Sequence, residues 1–167
     1  RVNTTGNYNV AMGYNCLDAN TTGTNNTAVG YNAMTANTTA NNNSAFGHSS
    51  LEANTTGYHN IAIGNYALQN NSTGIQNTAL GYSALTANTT ANENVAIGYH
   101  ALTANTTGAH NVAVGHDAGK AITTGSYNIA IGRDAMQACT DGASNVAVGS
   151  NALDACVSGN NNVAIGD

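Results

Sequence analysis

The sequence predicts an all-β protein, a parallel β-solenoid (β-roll) built from 17-residue coils. Three observations predict it. The motif Asn-x-Ala-apolar-Gly ends at Gly13, Gly30, Gly47, Gly64, Gly81, Gly98, Gly115, Gly132, Gly149 and Gly166, always 17 residues apart, with no insertion or deletion. A strict period with Gly and Asn held in columns means one coil stacked on the next. Helical-pair repeats are longer, about 33–47 residues, and need a helical periodicity absent here. The second observation is composition: 7% of 167 residues are charged and none is Pro, whereas ordinary domains carry about 25% charge. Like charges on neighbouring strands repel, and Pro removes a ladder donor, so columns of near-identical neighbours disfavour both. The third is the motif itself, short, β-branched and bounded by Asn and Gly, which is a strand signature.

The consensus unit is N-x-A-Φ-G-x-x-A-L-x-A-N-T-T-G-x-x, with Φ apolar. Residues 1–8 are the tail of an incomplete coil, nine full coils run from Asn9 to Asn161, and a partial coil, 162–167, follows. The start, Arg1-Val2-Asn3, has neither an initiator Met nor a signal peptide, which is the expectation for a processed or excised segment.

Each element of the coil follows in order. Asn94-Val95-Ala96-Ile97-Gly98 reads as a strand with Val95 and Ile97 on one face and Ala96 and Gly98 on the other. Both faces are non-polar, whereas a strand with one wet face alternates apolar with polar. One face therefore fills the coil, and the other is expected to be covered by another copy of the chain. The pattern leaves open which face is which. The next stretch, such as Tyr82 to Ala87, is either a second short strand or a helical turn. Its Leu/Met column runs through 17, 34, 51, 68, 85, 102, 136 and 153, broken by Gly119. Asn54-Thr55-Thr56-Gly57 and its equivalents read as a corner, because Asn and Gly tolerate left-handed conformations. Ala40 and Ala91 in the Gly column show that this corner does not always require positive φ.

Stacked Asn side chains are expected to form ladders, since amides at the roughly 4.7–4.9 Å strand spacing bond to the copies above and below. Asn9, Asn26, Asn43, Asn60, Asn77, Asn94, Asn111, Asn128, Asn145 and Asn162 form the structural ladder. A second Asn column carries Asn-Thr-Thr or Asn-Ser-Thr sequons at 3, 20, 37, 54, 71, 88 and 105. An internal ladder hides them from glycosylation.

Several function classes are excluded. With three Lys+Arg and a net charge of -5, there is no basic surface for nucleic acid. No apolar run approaches the ~18–20 residues of a membrane span, so membrane insertion is not expected. No cofactor or metal is expected either.

Candidate sites are few. The column after the motif Gly holds Tyr14, Tyr31, His48, Tyr82, Tyr99 and His116, interrupted by Asn65 and followed by Arg133. Such a row of rings reads either as a platform for sugar faces or as a solubilising edge. Asp117 and Asp134 share a column in adjacent coils, a spacing that suits a retaining glycosidase pair or a Ca²⁺ site; Arg133 beside them is the simpler partner. Cys139 and Cys156 replace Asn in successive coils. Their spacing admits a disulfide, and stacked free thiols are the other reading. Cys16 substitutes an Ala and is a packing residue. Most of the charge lies beyond residue 116, in Asp117, Lys120, Arg133, Asp134, Asp141, Asp154 and Asp167.

Asn94-Val95-Ala96-Ile97-Gly98 resembles the head repeats of trimeric autotransporter adhesins. The fuller unit Asn-Thr-Thr-Gly-x-x-Asn-Thr-Ala-Val-Gly-Tyr-x-Ala-Leu is similar to repeats of bacteriophage and bacterial tail-fibre-like proteins. The resemblance covers nearly the whole chain. It implies a homotrimer of β-rolls, extracellular, at a cell surface or on a virion fibre. Its implied role is a shaft or adhesive head that meets a cell-surface glycan or a host or prey receptor, or acts as a spacer. Two other readings are carried: an ice-binding solenoid, suggested by the Thr columns, and a carbohydrate-active β-solenoid enzyme, suggested by Asp117 and Asp134.

Overall fold

The computed structural model describes residues 3–167. They form a single parallel sheet in which the ten strands lie in chain order with no crossover. The strands are β1 (Val10–Met12), β2 (Thr27–Val29), β3 (Ser44–Phe46), β4 (Ile61–Ile63), β5 (Thr78–Leu80), β6 (Val95–Ile97), β7 (Val112–Val114), β8 (Ile129–Ile131), β9 (Val146–Val148) and β10 (Val163–Ile165). Each pairs with the next in a register of one period, so Ala96 faces Ala79 on one side and Ala113 on the other. The parallel β-solenoid with 17-residue coils is therefore the observed fold, and the described residues contain no helix.

The structure decides which strand face looks inward. The central Ala of β2 to β9 is buried, while its neighbours point out. The interior is thin. Across from the strand Ala lies the Leu column: a Cβ built on Gly119, which stands in that column, would sit 3.7 Å from Ala113 Cβ. Met34, Leu51, Leu68, Leu85, Leu102 and Met136 fill this column and are fully buried. Pairing a small Ala with a large Leu or Met at each level fills the coil and leaves no space for a larger side chain in place of the Ala.

The stretch after the strand is neither a second strand nor a helical turn. It is a chain of turns whose donors reach the next coil: Leu85 N donates to Ala101 O at 3.0 Å and Ala87 N to Thr103 O at 3.2 Å. Ser83 (φ 55°) and Leu85 (φ 53°) are both left-handed, and the equivalent residues of the other coils repeat this. Left-handed residues two apart bend the chain too sharply for either regular element. A third left-handed residue, such as His59 (φ 58°), precedes each motif Asn.

The Asn-Thr-Thr-Gly corner also differs in cause. Its Gly is not left-handed. It is small because a Cβ on Gly57 would collide with Gly74 O in the next coil. Where Ala40 and Ala91 occupy this column they are buried and accommodated. The motif Gly is the position that needs positive φ, with Gly98 at 136° and its equivalents close to it.

Candidate functional site

Two Asn columns wall the core. The column of Asn9 to Asn162 works between side chain and backbone. Asn94 N donates to Asn77 Oδ1 at 3.0 Å, and Asn94 Nδ2 donates to Gly108 O at 2.9 Å. The second column is the side-chain ladder. Asn71 Nδ2 donates to Asn54 Oδ1 at 3.1 Å, and Asn88 Nδ2 donates to Asn71 Oδ1 at 2.8 Å. Asn20, Asn37, Asn54, Asn71, Asn88 and Asn105 are fully buried, so their sequon amides face the core and not solvent; Asn3 alone of that column is exposed.

That ladder stops at Ile122, which takes the next Asn position. Asn105 Oδ1 is left buried with no hydrogen-bond partner. The same coil carries Gly119 in the Leu column. A Cβ there would lie 3.1 Å from Ile122 Cδ1 and 3.0 Å from Leu102 Cδ2. Ile122 thus fills the space that Leu fills elsewhere, and the two departures from consensus compensate each other. Beyond it the first Asn column gains side-chain bonds of its own, with Asn128 Nδ2 to Asn111 Oδ1 at 3.1 Å and Asn145 Nδ2 to Asn128 Oδ1 at 3.2 Å.

Cys139 and Cys156 continue the interrupted column as free thiols, the former buried and the latter partly exposed. Burial first, then the neighbouring Cys156, pushes the Cys139 thiol up to about 11. Cys16 is buried and donates to Ala28 O at 3.0 Å, as a packing residue does.

The ring row forms two stacked runs along the rod. Tyr14–Tyr31, Tyr31–His48, Tyr82–Tyr99 and Tyr99–His116 have centroids 5.5, 5.2, 5.4 and 5.0 Å apart with planes within 15°. Asn65 interrupts the column, and its Oδ1 accepts from His48 N. Tyr66, absent from the expected set, bridges the gap edge-on to His48 and Tyr82. Its sequence position, one past Asn65, was the available signal. Each inner ring spends part of its faces on its neighbours, and Tyr31, Tyr82 and Tyr99 remain about half exposed. Sugar stacking requires a free face.

The Thr columns are not equivalent. The first donates its hydroxyl to the next coil, as Thr21 Oγ1 does to Thr38 O at 3.1 Å and Thr106 Oγ1 to Thr123 O at 3.1 Å. The second, with Thr22, Thr56 and Thr107, is exposed. Only one Thr row is therefore free of the backbone.

The two aspartates do not form an open pair. Asp117 Oδ2 takes Lys120 Nζ at 3.0 Å, and Asp134 Oδ2 lies 3.5 Å from Arg133 Nε. Among the described residues no enclosed pocket lies beside them.

The outward face of the sheet forms an apolar surface along the rod. Its second row (Met12, Val29, Phe46, Ile63, Leu80, Ile97, Val114, Ile131, Val148, Ile165) is apolar throughout, and its first is interrupted only by Thr27, Ser44 and Thr78. No charge lies in either row. Met12, Phe46, Ile61, Ile63, Leu80, Ile97 and Ile131 are all substantially exposed. Comparison with family models, with curated proteins and with solved structures gives no match.

Proposed function

We propose that this chain is a structural segment of an extracellular or virion fibre, assembled as a homotrimer through the outward face of its sheet. The observation that carries the reading is the long, charge-free and largely apolar strip on a sparsely charged rod. Ten strands at about 4.8 Å make a strip roughly 43 Å long. Isolated exposed aliphatics are ordinary, but a continuous apolar patch of this extent marks an interaction surface. The strip repeats the same columns at every level, so another copy matches it coil for coil. Three flat strips facing a common axis close the assembly and leave the polar corners outside. The resemblance to trimeric fibre and adhesin repeats supports the number three.

Within such a fibre the segment acts as a spacer. Stacking between coils takes up part of each ring face, which disfavours the glycan platform as the principal role. An ice-binding role is disfavoured because the hydroxyls of one Thr column are already committed to the backbone. A carbohydrate-active role has neither a cleft nor an unpaired carboxylate pair to support it.

Native mass spectrometry and sedimentation test the reading. The expected result is a three-chain species. Ile97→Lys places charge on the strip without touching the core, so it should dissociate the assembly while leaving the circular dichroism of each rod intact. A stable monomer or dimer of the unaltered chain at micromolar concentration overturns the trimer.

A further inference from the structure

We propose that His116, Asp117 and Asp134, with His100 beside them, form a binding site for a divalent transition-metal ion, for which Zn²⁺ is the fitting ion. The repeat builds it. His100, Asp117 and Asp134 share one left-handed column in three successive coils, at φ 54°, 56° and 59°. His116 stands in the adjoining ring column next to Asp117. One ligand atom each from His116, Asp117 and Asp134 lies within 4.8 Å of the other two. His100 Nδ1 is 3.6 Å from Asp117 Oδ1, and His116 Nδ1 is 3.7 Å from Asp117 Oδ2.

A second observation points to a missing ligand. The Asp117 side chain is only 10% exposed, and its Oδ1 is buried with no hydrogen-bond partner. A buried carboxylate oxygen without a hydrogen bond is costly; this one faces His100 Nδ1, while His116 and Lys120 lie at the other oxygen, so the carboxylate is flanked by an imidazole on each side. Every other charge on the cluster can leave. Lys120 Nζ bonds Asp117 Oδ2 from a side chain that is 40% exposed, and Arg133 approaches Asp134 from one that is 66% exposed. Gln137 Nε2 donates to the other Asp134 oxygen at 3.1 Å. An arriving cation displaces Arg133 into water at little loss, because exposed ion pairs contribute little, and it takes the place of Lys120 beside the buried Asp117, which is never left without a positive partner. The donor set of imidazole nitrogen and two carboxylates suits zinc with three protein ligands and an open position for water. Calcium and magnesium prefer oxygen alone.

The test is a ZnCl₂ titration of the assembled chain, followed by calorimetry and by the histidine ring resonances. One ion per chain is expected, with the His116 signal moving and that of His48 unmoved. Asp117→Asn should weaken binding at least tenfold. The variant keeps the fold, because Asn15, Asn32 and Asn151 already occupy that left-handed column. Lys120→Gln should tighten binding several-fold by freeing Asp117. Cys139→Ala with Cys156→Ala should bind as the unaltered chain does. No binding at millimolar Zn²⁺ overturns the proposal. So does binding that survives Asp117→Asn, binding lost with the two thiols, or Ca²⁺ competing at equal concentration. Trimer formation is read separately by mass, so failure of the metal site leaves the fibre reading standing.

Discussion

At the residue scale, Gly119 and Ile122 are the informative pair. Each departs from its column, and neither departure makes sense alone. Gly119→Leu drives a branched side chain into Ile122 and Leu102 and is expected to cost about 1–3 kcal/mol by overpacking. Ile122→Asn restores a partner for Asn105 Oδ1 but leaves the Leu space empty, at a cost of about 2–4 kcal/mol. The double variant rebuilds the consensus coil, so its stability should equal or exceed that of the unaltered chain. Denaturant unfolding of all four proteins measures the coupling; simple additivity would contradict the compensation. The sequence displayed both substitutions, but only the distances between their side chains show that one answers the other. Cys139 gives a second residue-scale expectation. Its thiol is raised from an ordinary value near 9.0 to about 11 in the fold. The folded state holds that proton more tightly than the unfolded state, so the contribution to stability is intact below pH 9 and is lost as pH rises towards 11. Cys139→Ala should remove this share of the alkaline loss. At pH 8, a thiol reagent should modify Cys156 well before Cys139.

At the element scale, the strand motif was legible because Asn, Ala and Gly recur at fixed positions. Its orientation was not, since Val95-Ala96-Ile97 is apolar on both sides. Packing against the Leu column settles it, because only the small Ala fits opposite Leu. The connecting turns were harder to read. Leu in a left-handed conformation costs about 1–2 kcal/mol, and nothing in a Leu column announces it except Gly119, which adopts φ 59° in the same place. The Asn ladder was legible from repetition, yet its two columns do different work. Asn71 bonds the amides of both neighbouring rungs and the Gly74 carbonyl. Asn71→Ala strands at least one buried amide group and should cost about 2–3 kcal/mol, seen as a lower midpoint in denaturant unfolding. The ring column was also anticipated by position, but its self-stacking depends on the coil spacing and changes what the rings can contact.

At the scale of the whole molecule, stability is a sum over nearly identical coils and their interfaces. Removing one whole period, residues 77–93, joins columns to their own equivalents and should give a shorter rod that still folds and still assembles. Removing sixteen residues instead shifts every later column by one and should leave an aggregated or unfolded product. Circular dichroism and sedimentation of the two deletions distinguish these outcomes. In the charged cluster after residue 115 the columns cease to be interchangeable, and His100, Asp117 and Asp134 meet there only because the period aligns them.

The amino-acid sequence by itself determined the period, the number of coils, the strand positions and the scarcity of charge, because each is a property of columns that repetition exposes. Tertiary structure alone decided which strand face is buried, that the rings stack on one another, that one Thr column is tied to the backbone, and that Ile122 fills the space left by Gly119. Those features depend on distances between side chains across a coil and from one coil to the next, and those distances exist only once the chain is coiled and stacked.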